Sequence, residues 1–123
     1  MEILRDSVET AVSMKIFKNK KESAFAHIYN SKLSKMPLHI FKNVKNFNPI
    51  RLQKSASKAY PLNDRPRGNN DISSVKYYQK QKNITPIWLC KKKNKYTLLD
   101  GAHRIVASYI ENKQYILAYV IQL

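Results

Sequence analysis

The stretch from Leu98 to Asn112, LLDGAHRIVASYIEN, constrains the fold more than any other. Apolar residues run up to an Asp-Gly pair, and apolar residues at helical spacing (Ile105, Val106, Tyr109, Ile110) follow it. The hydrophobic period therefore changes from that of a strand to that of a helix at one residue, Gly101. The chain has only two glycines and places one here. A glycine at a strand–helix junction lets the backbone turn sharply and lets a ligand approach with no Cβ in the way. The spacing predicts a strand over 96–99 and a helix over 103–112, ended by Asn112 in the left-handed conformation.

The surrounding pattern extends this unit. Residues 84–90, ITPIWLC, read as a strand with Pro86 near its start, where a missing N–H is tolerated. Residues 91–95, KKKNK, read as a hairpin turn with Asn94 suited to positive φ. Residues 115–122 are apolar on both faces, as expected of a central or covered strand. Upstream, NDISSVKYYQKQ reads as a helix capped by Asn70, with Ile72, Val75 and Tyr78 or Gln79 turned inward. Residues 46–70 are irregular and hold Pro49, Pro61, Pro66 and Gly68. Two N-terminal helices are expected. The first covers 6–18 with Val8, Ala11, Val12 and Ile16 on one face. The second covers 23–33 through Phe25, Ile28, Tyr29 and Leu33, with Pro37 as its stop. LHIFKNV, 38–44, reads as a short strand. The expected fold class is α/β (α+β), a small mixed sheet with flanking helices. An N-terminal helical extension (1–46) would pack on the domain that carries this junction (47–123).

Charge narrows the partners. The 123 residues carry 23 Lys and Arg against 8 Asp and Glu, a net charge of +15. Such an excess of one sign opposes compaction unless a polyanion is near, although abundant lysine also follows from compositional bias. The single cysteine, Cys90, excludes an internal disulfide and reads as a buried core thiol. No apolar run approaches the roughly 20 residues needed to span a bilayer, and MEILRDSVET lacks a signal-peptide pattern. A soluble intracellular protein with no membrane contact is expected.

The Gly101 junction is the candidate site. The first N–H groups of a helix converge at its N-terminus and carry the positive end of its dipole, which suits an anion. His103 and Arg104 fall in that first turn, and an arginine can hold phosphate bidentately. Asp100 would repel a bare phosphate and is better placed to hold a metal, orient the His or bind a hydroxyl. The plain alternative is an ordinary strand–helix connection with a capping Asp.

From about Asp71 to Val120 the chain resembles the ParB/sulfiredoxin superfamily. The pattern is a helix, NITPIWLC, a polar hairpin, YTLLDGAHRIVASYIENKQ and ILAYVI. NDRPR, with Asp64, Arg65 and Arg67, matches more weakly an Arg-bearing loop that closes over the nucleotide. The resemblance implies phosphate binding by Gly101, Ala102, His103, Arg104, Arg65 and Arg67. It implies a nucleotide (ATP, ADP or CTP) with Mg²⁺ held at Asp100. For an enzyme, it implies Asp100 and His103 in a phosphotransferase or ParB-like nuclease. Sulfiredoxins carry a catalytic Cys where this chain has Ala102, so sulfinic-acid reduction is not expected. Partition proteins usually have two arginines where this chain has His103 and Arg104.

Other features point to nucleic acid or to nothing. Lys91, Lys92, Lys93 and Lys95 at the hairpin tip could grip a nucleic-acid backbone, with help from Lys42, Lys45, Lys54 and Lys58. Tyr77, Tyr78, Tyr96 and Trp88 could stack on bases, but such aromatics are more often core. His27, His39 and His103 have no metal-ligand spacing. His27 reads as the polar edge of its helix and His39 as an outward strand residue. Two functional readings stand beside a scaffold whose charge is compositional. One is a nucleotide-binding domain that associates with nucleic acid. The other is a non-enzymatic nucleic-acid-binding or packaging protein with a degenerate phosphate loop.

Overall fold

A computed structural model describes residues 5–48, 75 and 77–123. The expected α+β class is the one observed. Along the chain come α1 (Arg5–Ser13), α2 (Lys20–Tyr29), β1 (Ser31–Pro37), a 3₁₀ turn (Leu38–Lys42), β2 (Ile87–Lys92), β3 (Lys95–Asp100), α3 (Ala102–Ile110) and β4 (Tyr115–Gln122). Val75 and residues 77–79 are also helical. The four strands form one mixed sheet in the order β1-β4-β2-β3. β4 runs parallel to β2 and antiparallel to β1, and β2 and β3 form an antiparallel hairpin.

Local chemistry explains the turns. Lys93 and Asn94 both have positive φ, 49° and 64°, as a two-residue type I′ hairpin loop requires. Both α1 and α3 end in a Schellman motif. In the first, Lys15 (φ 61°) is the left-handed residue, Ile16 N–H donates to the Ala11 carbonyl and Lys15 N–H to that of Val12. In the second, Asn112 (φ 57°) takes the same place, with Lys113 donating to Ser108 and Asn112 to Tyr109. Asn112 thus ends its helix as the sequence predicts.

Alternation along the strands splits the interior in two. Ile87, Leu89, Leu98, Ile116, Ala118 and Val120 face α3, where Ile105, Val106 and Ala107 cover them with help from Leu38, Phe41 and Phe47. Trp88, Cys90, Leu99 and Ile121 face the other way, against Ala11, Phe17 and Ala26 of the α1–α2 unit. β4 is central, as its apolar faces predict.

Besides the stop of α1 at Ser13, where a helix to Lys18 is expected and left-handed Lys15 ends it, the N-terminal third departs from its pattern in three places. Residues 31–37, expected at the end of a helix, form β1, because seven consecutive residues pair with β4. Tertiary pairing here overrides a local preference that a short polar segment holds only weakly. Lys32, Lys35 and Pro37 are the residue types that blunt an edge strand. Residues 38–42, expected as a strand, are a 3₁₀ turn. Leu38 and Phe41 are both buried, and side chains three apart eclipse on such a turn. His39 is accordingly an exposed residue of that turn, not of a strand.

The third departure is α2. It starts at Lys20, capped by the Asn19 side chain, which accepts from Glu22 N–H at 2.8 Å. Its inward face is small and polar: Ser23, Ala26 and His27 are buried. The expected inward residues Phe25, Ile28 and Tyr29 are exposed, and so is Leu33 on β1. Small residues let α2 approach α1 and the sheet, where Phe17 and Trp88 already fill the space.

Candidate functional site

Gly101 connects β3 to α3 at φ 122°, ψ 21°, a conformation that L side chains rarely adopt. A Cβ on Gly101 would lie 2.7 Å from the Ile87 Cβ and closer still to Ile87 Cγ2. The space freed by the glycine is therefore filled by β2. The absent Cβ thus serves close packing of the junction on Ile87, which is fully buried, and not the open approach for a ligand that the sequence suggests.

Arg104 lies on the inner side of the same junction. It is only 4% exposed. Its Nη1 donates to the carbonyls of Pro86 (2.7 Å) and Thr85 (3.2 Å), and its Nη2 donates to Asp100 Oδ2 at 2.7 Å. The guanidinium carbon stands 5.8 Å from the centroid of the Tyr78 ring, within cation–π range. One side chain thus ties the start of β2, the end of β3 and the first turn of α3 together. Asp100 and Arg104 form an ion pair four residues apart, so the charge of each is largely met by the other.

The remaining residues of the loop differ in exposure. Ala102 is buried and His103 half-buried. Ile105 N–H donates to the Gly101 carbonyl at 3.0 Å, the first bond inside the helix. The N–H groups of 102–104 precede it, and Gly101 offers no side-chain cap. Among the described residues no three His, Cys, Asp or Glu side chains stand together in a way that could hold a metal ion. One oxygen of Asp100, Oδ2, is already engaged by Arg104. Arg65 and Arg67, like Asp64, Lys54, Lys58, Asn70 and Ile72, lie outside the described residues.

The hairpin lysines are at the far end of the sheet. β3 separates Asp100 from Lys95 by five residue steps, about 17 Å, as the sequence order requires. Lys92, Lys93 and Lys95 are exposed and Lys91 half-buried, its Nζ lying 5.6 Å from the centroid of the Tyr96 ring. Lys45 bridges Thr97 along the outer edge of β3. Its N–H donates to the Tyr96 carbonyl and its own carbonyl accepts from Leu98 N–H, each at 2.9 Å. Lys42 and Lys45 are both exposed.

Cys90 is buried, and burial pushes its thiol up from its ordinary range, against the pull of the Lys92 charge. This is the setting of a core thiol, as expected, and not of a nucleophile. Trp88 is also core, stacked on Tyr119 with ring centroids 4.7 Å apart. Tyr77 is exposed, and Tyr78 packs partly against the α3-side core.

Sequence reasoning missed one polar centre. His27 is fully buried and not a helix edge. Its Nδ1 is 2.7 Å from the Ser23 carbonyl and its Nε2 2.7 Å from Ser7 Oγ, and its ring packs on Trp88 at 4.6 Å. A carbonyl can only accept, so Nδ1 carries the proton; Nε2 of the neutral ring then accepts from the Ser7 hydroxyl. Burial lowers the His27 pKa, opposed by the bond to Ser23. Ser23 Oγ closes the network by donating to the Val8 carbonyl at 3.1 Å. The available signal was the small-residue face of α2 (Ser23, Ala26) beside a histidine four residues after Ser23.

Comparison with protein-family models and with curated proteins gives no match for this chain. No helix among the described residues is long and apolar enough to cross a membrane.

Proposed function

We propose that this protein is a basic, non-catalytic nucleic-acid-binding domain whose lysine-rich sheet end grips phosphates, with the Gly101–Arg104 loop serving mainly to hold the fold. One observation carries the reading: four lysines crowd the tip of the β2–β3 hairpin, and neither strand carries an acidic residue before Asp100. The end at Asp100 holds the Asp100–Arg104 pair. The opposite end holds the exposed Lys92, Lys93 and Lys95 beside Lys91, and residues 86–99 contain no acidic residue. With a net charge of +15, a polyanion is the partner that relieves this concentration of like charge. Ala102 supplies no nucleophile, and Arg104 already makes three hydrogen bonds to the protein, which supports a degenerate phosphate loop in a ParB/sulfiredoxin-like domain.

The second reading keeps nucleotide binding at the loop, and the uncapped start of α3 after Gly101 favours it. A nucleotide there would meet backbone N–H groups and His103. Two measurements separate the readings. Fluorescence anisotropy with labelled DNA over a salt series should give binding that weakens steeply, at about −0.9 in slope per phosphate engaged on duplex. A thermal-shift series with ATP, ADP or CTP and Mg²⁺ should leave the melting temperature unmoved. A nucleotide-dependent rise that survives moderate salt would replace the first reading with the second.

A further inference from the structure

We infer that the lysine-rich end of the sheet is a single-stranded nucleic-acid site in which Phe25 and Tyr29 form a stacking platform; the inference rests on the nucleic-acid reading above. α2 turns its largest residues outward. Tyr29 is 69% exposed and Phe25 58%, and their rings touch, with centroids 4.5 Å apart. Ile28, also exposed, lies between them in sequence and widens the apolar surface. The side of α2 that packs on the protein is made instead by Ser23, Ala26 and His27. The exposed pair is thus surplus to the packing of its own helix.

Backbone bonds place this pair beside the hairpin. Tyr29 is followed by Asn30, whose carbonyl accepts from Gln122 N–H at 3.0 Å. Gln122 is in register with Lys91, and Leu123 N–H donates to the Lys91 carbonyl at 2.9 Å. The last turn of α2 therefore reaches the sheet at its hairpin end, about two strand spacings, or roughly 10 Å, from β2. Lys32, opposite Val120 near the start of β1, comes to the same end. Lys92 and Lys95, opposite one another in the hairpin, point like Cys90 to the α2 side of the sheet, and Lys91 and Lys32 point like Leu89 and Val120 to the α3 side. Lysines on both faces of this end thus accompany the two exposed rings, and residues 23–35, 86–99 and 115–123 contain no acidic residue.

This pairing of groups selects among nucleic acids. Lysines alone grip any phosphate backbone. In a duplex the faces of the bases are already stacked on one another, so an exposed ring finds no partner. In a single strand each base has a free face, and stacking on an aromatic ring adds to the phosphate contacts without choosing a sequence.

The test uses the full chain and two labelled probes, an oligothymidylate of about twenty nucleotides, longer than one such site, and a duplex of equal length. Anisotropy at moderate salt should give tighter binding of the oligothymidylate. The Phe25→Leu/Tyr29→Leu variant should weaken that binding about tenfold and leave duplex affinity and the melting curve unchanged. An oligothymidylate carrying 5-bromouracil should photocrosslink to the last turn of α2. Equal affinity for both probes, unchanged in the variant, would overturn the stacking platform while leaving the nucleic-acid reading in place. Adducts confined to the hairpin would do the same. Binding to neither probe at low salt would sink both.

Discussion

The two ends of the sheet use charge in opposite ways. At the Asp100 end an arginine is buried and its donors meet a carboxylate and two carbonyls. At the hairpin end lysines stand in solvent on a two-residue turn. The difference follows from side-chain chemistry. A guanidinium presents several donors in a rigid fork and can join three chain segments in a dry interior. An ammonium on a flexible stem is strongly hydrated and stays outside unless a ligand removes the water. One end should therefore respond to mutation by unfolding, and the other by losing a partner.

The largest effect is expected at Gly101. Gly101→Ala adds a Cβ that clashes with Ile87 and fixes an L residue at φ 122°. Overpacking and backbone strain together should cost about 4 kcal/mol, read by urea denaturation. A loss below about 1 kcal/mol would mean that the junction is looser than its geometry. A double-mutant cycle with Ile87→Ala should show strong coupling, since the two residues touch.

Arg104→Ala comes next. It strands the Asp100 carboxylate and the carbonyls of Thr85 and Pro86, and should cost about 3 kcal/mol. Arg104→Lys should recover only part of this, because one ammonium cannot reproduce the fork. A stable Arg104→Ala protein would break the comparison, since it would free Arg104 for a ligand role.

His27 should tie stability to pH. Its folded pKa lies below its unfolded value of 6.5, so the unfolded chain binds the extra proton between the two. Stability is then full above about pH 6.5 and falls as the pH drops below it, by at most about 1.4 kcal/mol per pH unit. The fall continues until the folded pKa is reached. His27→Gln should flatten the curve between pH 6.5 and 5 in denaturation series, a window above the usual range of carboxylate titration.

The smallest stability effect belongs to the hairpin. Replacing Lys91, Lys92, Lys93 and Lys95 with Ala should change stability by less than about 0.5 kcal/mol per site. The same variant should show a shallower salt dependence of nucleic-acid binding, by about 0.9 in slope for each duplex phosphate it no longer engages. A destabilisation like that of Arg104→Ala would erase the contrast between the two ends.

Much of the C-terminal half was legible in the sequence. The strand–glycine–helix unit, the hairpin and the Asn112 stop are set by residues within a few positions of one another. Period, positive-φ residues and caps are local properties, so they survive translation into structure. The candidate site was legible as a location but not as a set of contacts. Nothing local says that Gly101 faces Ile87, fourteen residues earlier, or that Arg104 turns inward to Thr85 and Pro86.

Local residue patterns were enough to specify a basic α+β chain with a mixed sheet, a strand-to-helix turn at Gly101 and a lysine-rich turn at the other end of β3. Packing between distant segments settled that residues 31–37 are an edge strand and that His27 is a buried link between α1 and α2. It also settled which face of α2 meets the protein. The reason is physical. A ten-residue helix whose apolar residues, Ala24, Phe25, Ala26, Ile28 and Tyr29, spread over more than one face has no unique inward face until a partner surface exists. Here Trp88, Phe17 and β4 favour the small face and leave Phe25 and Tyr29 in solvent.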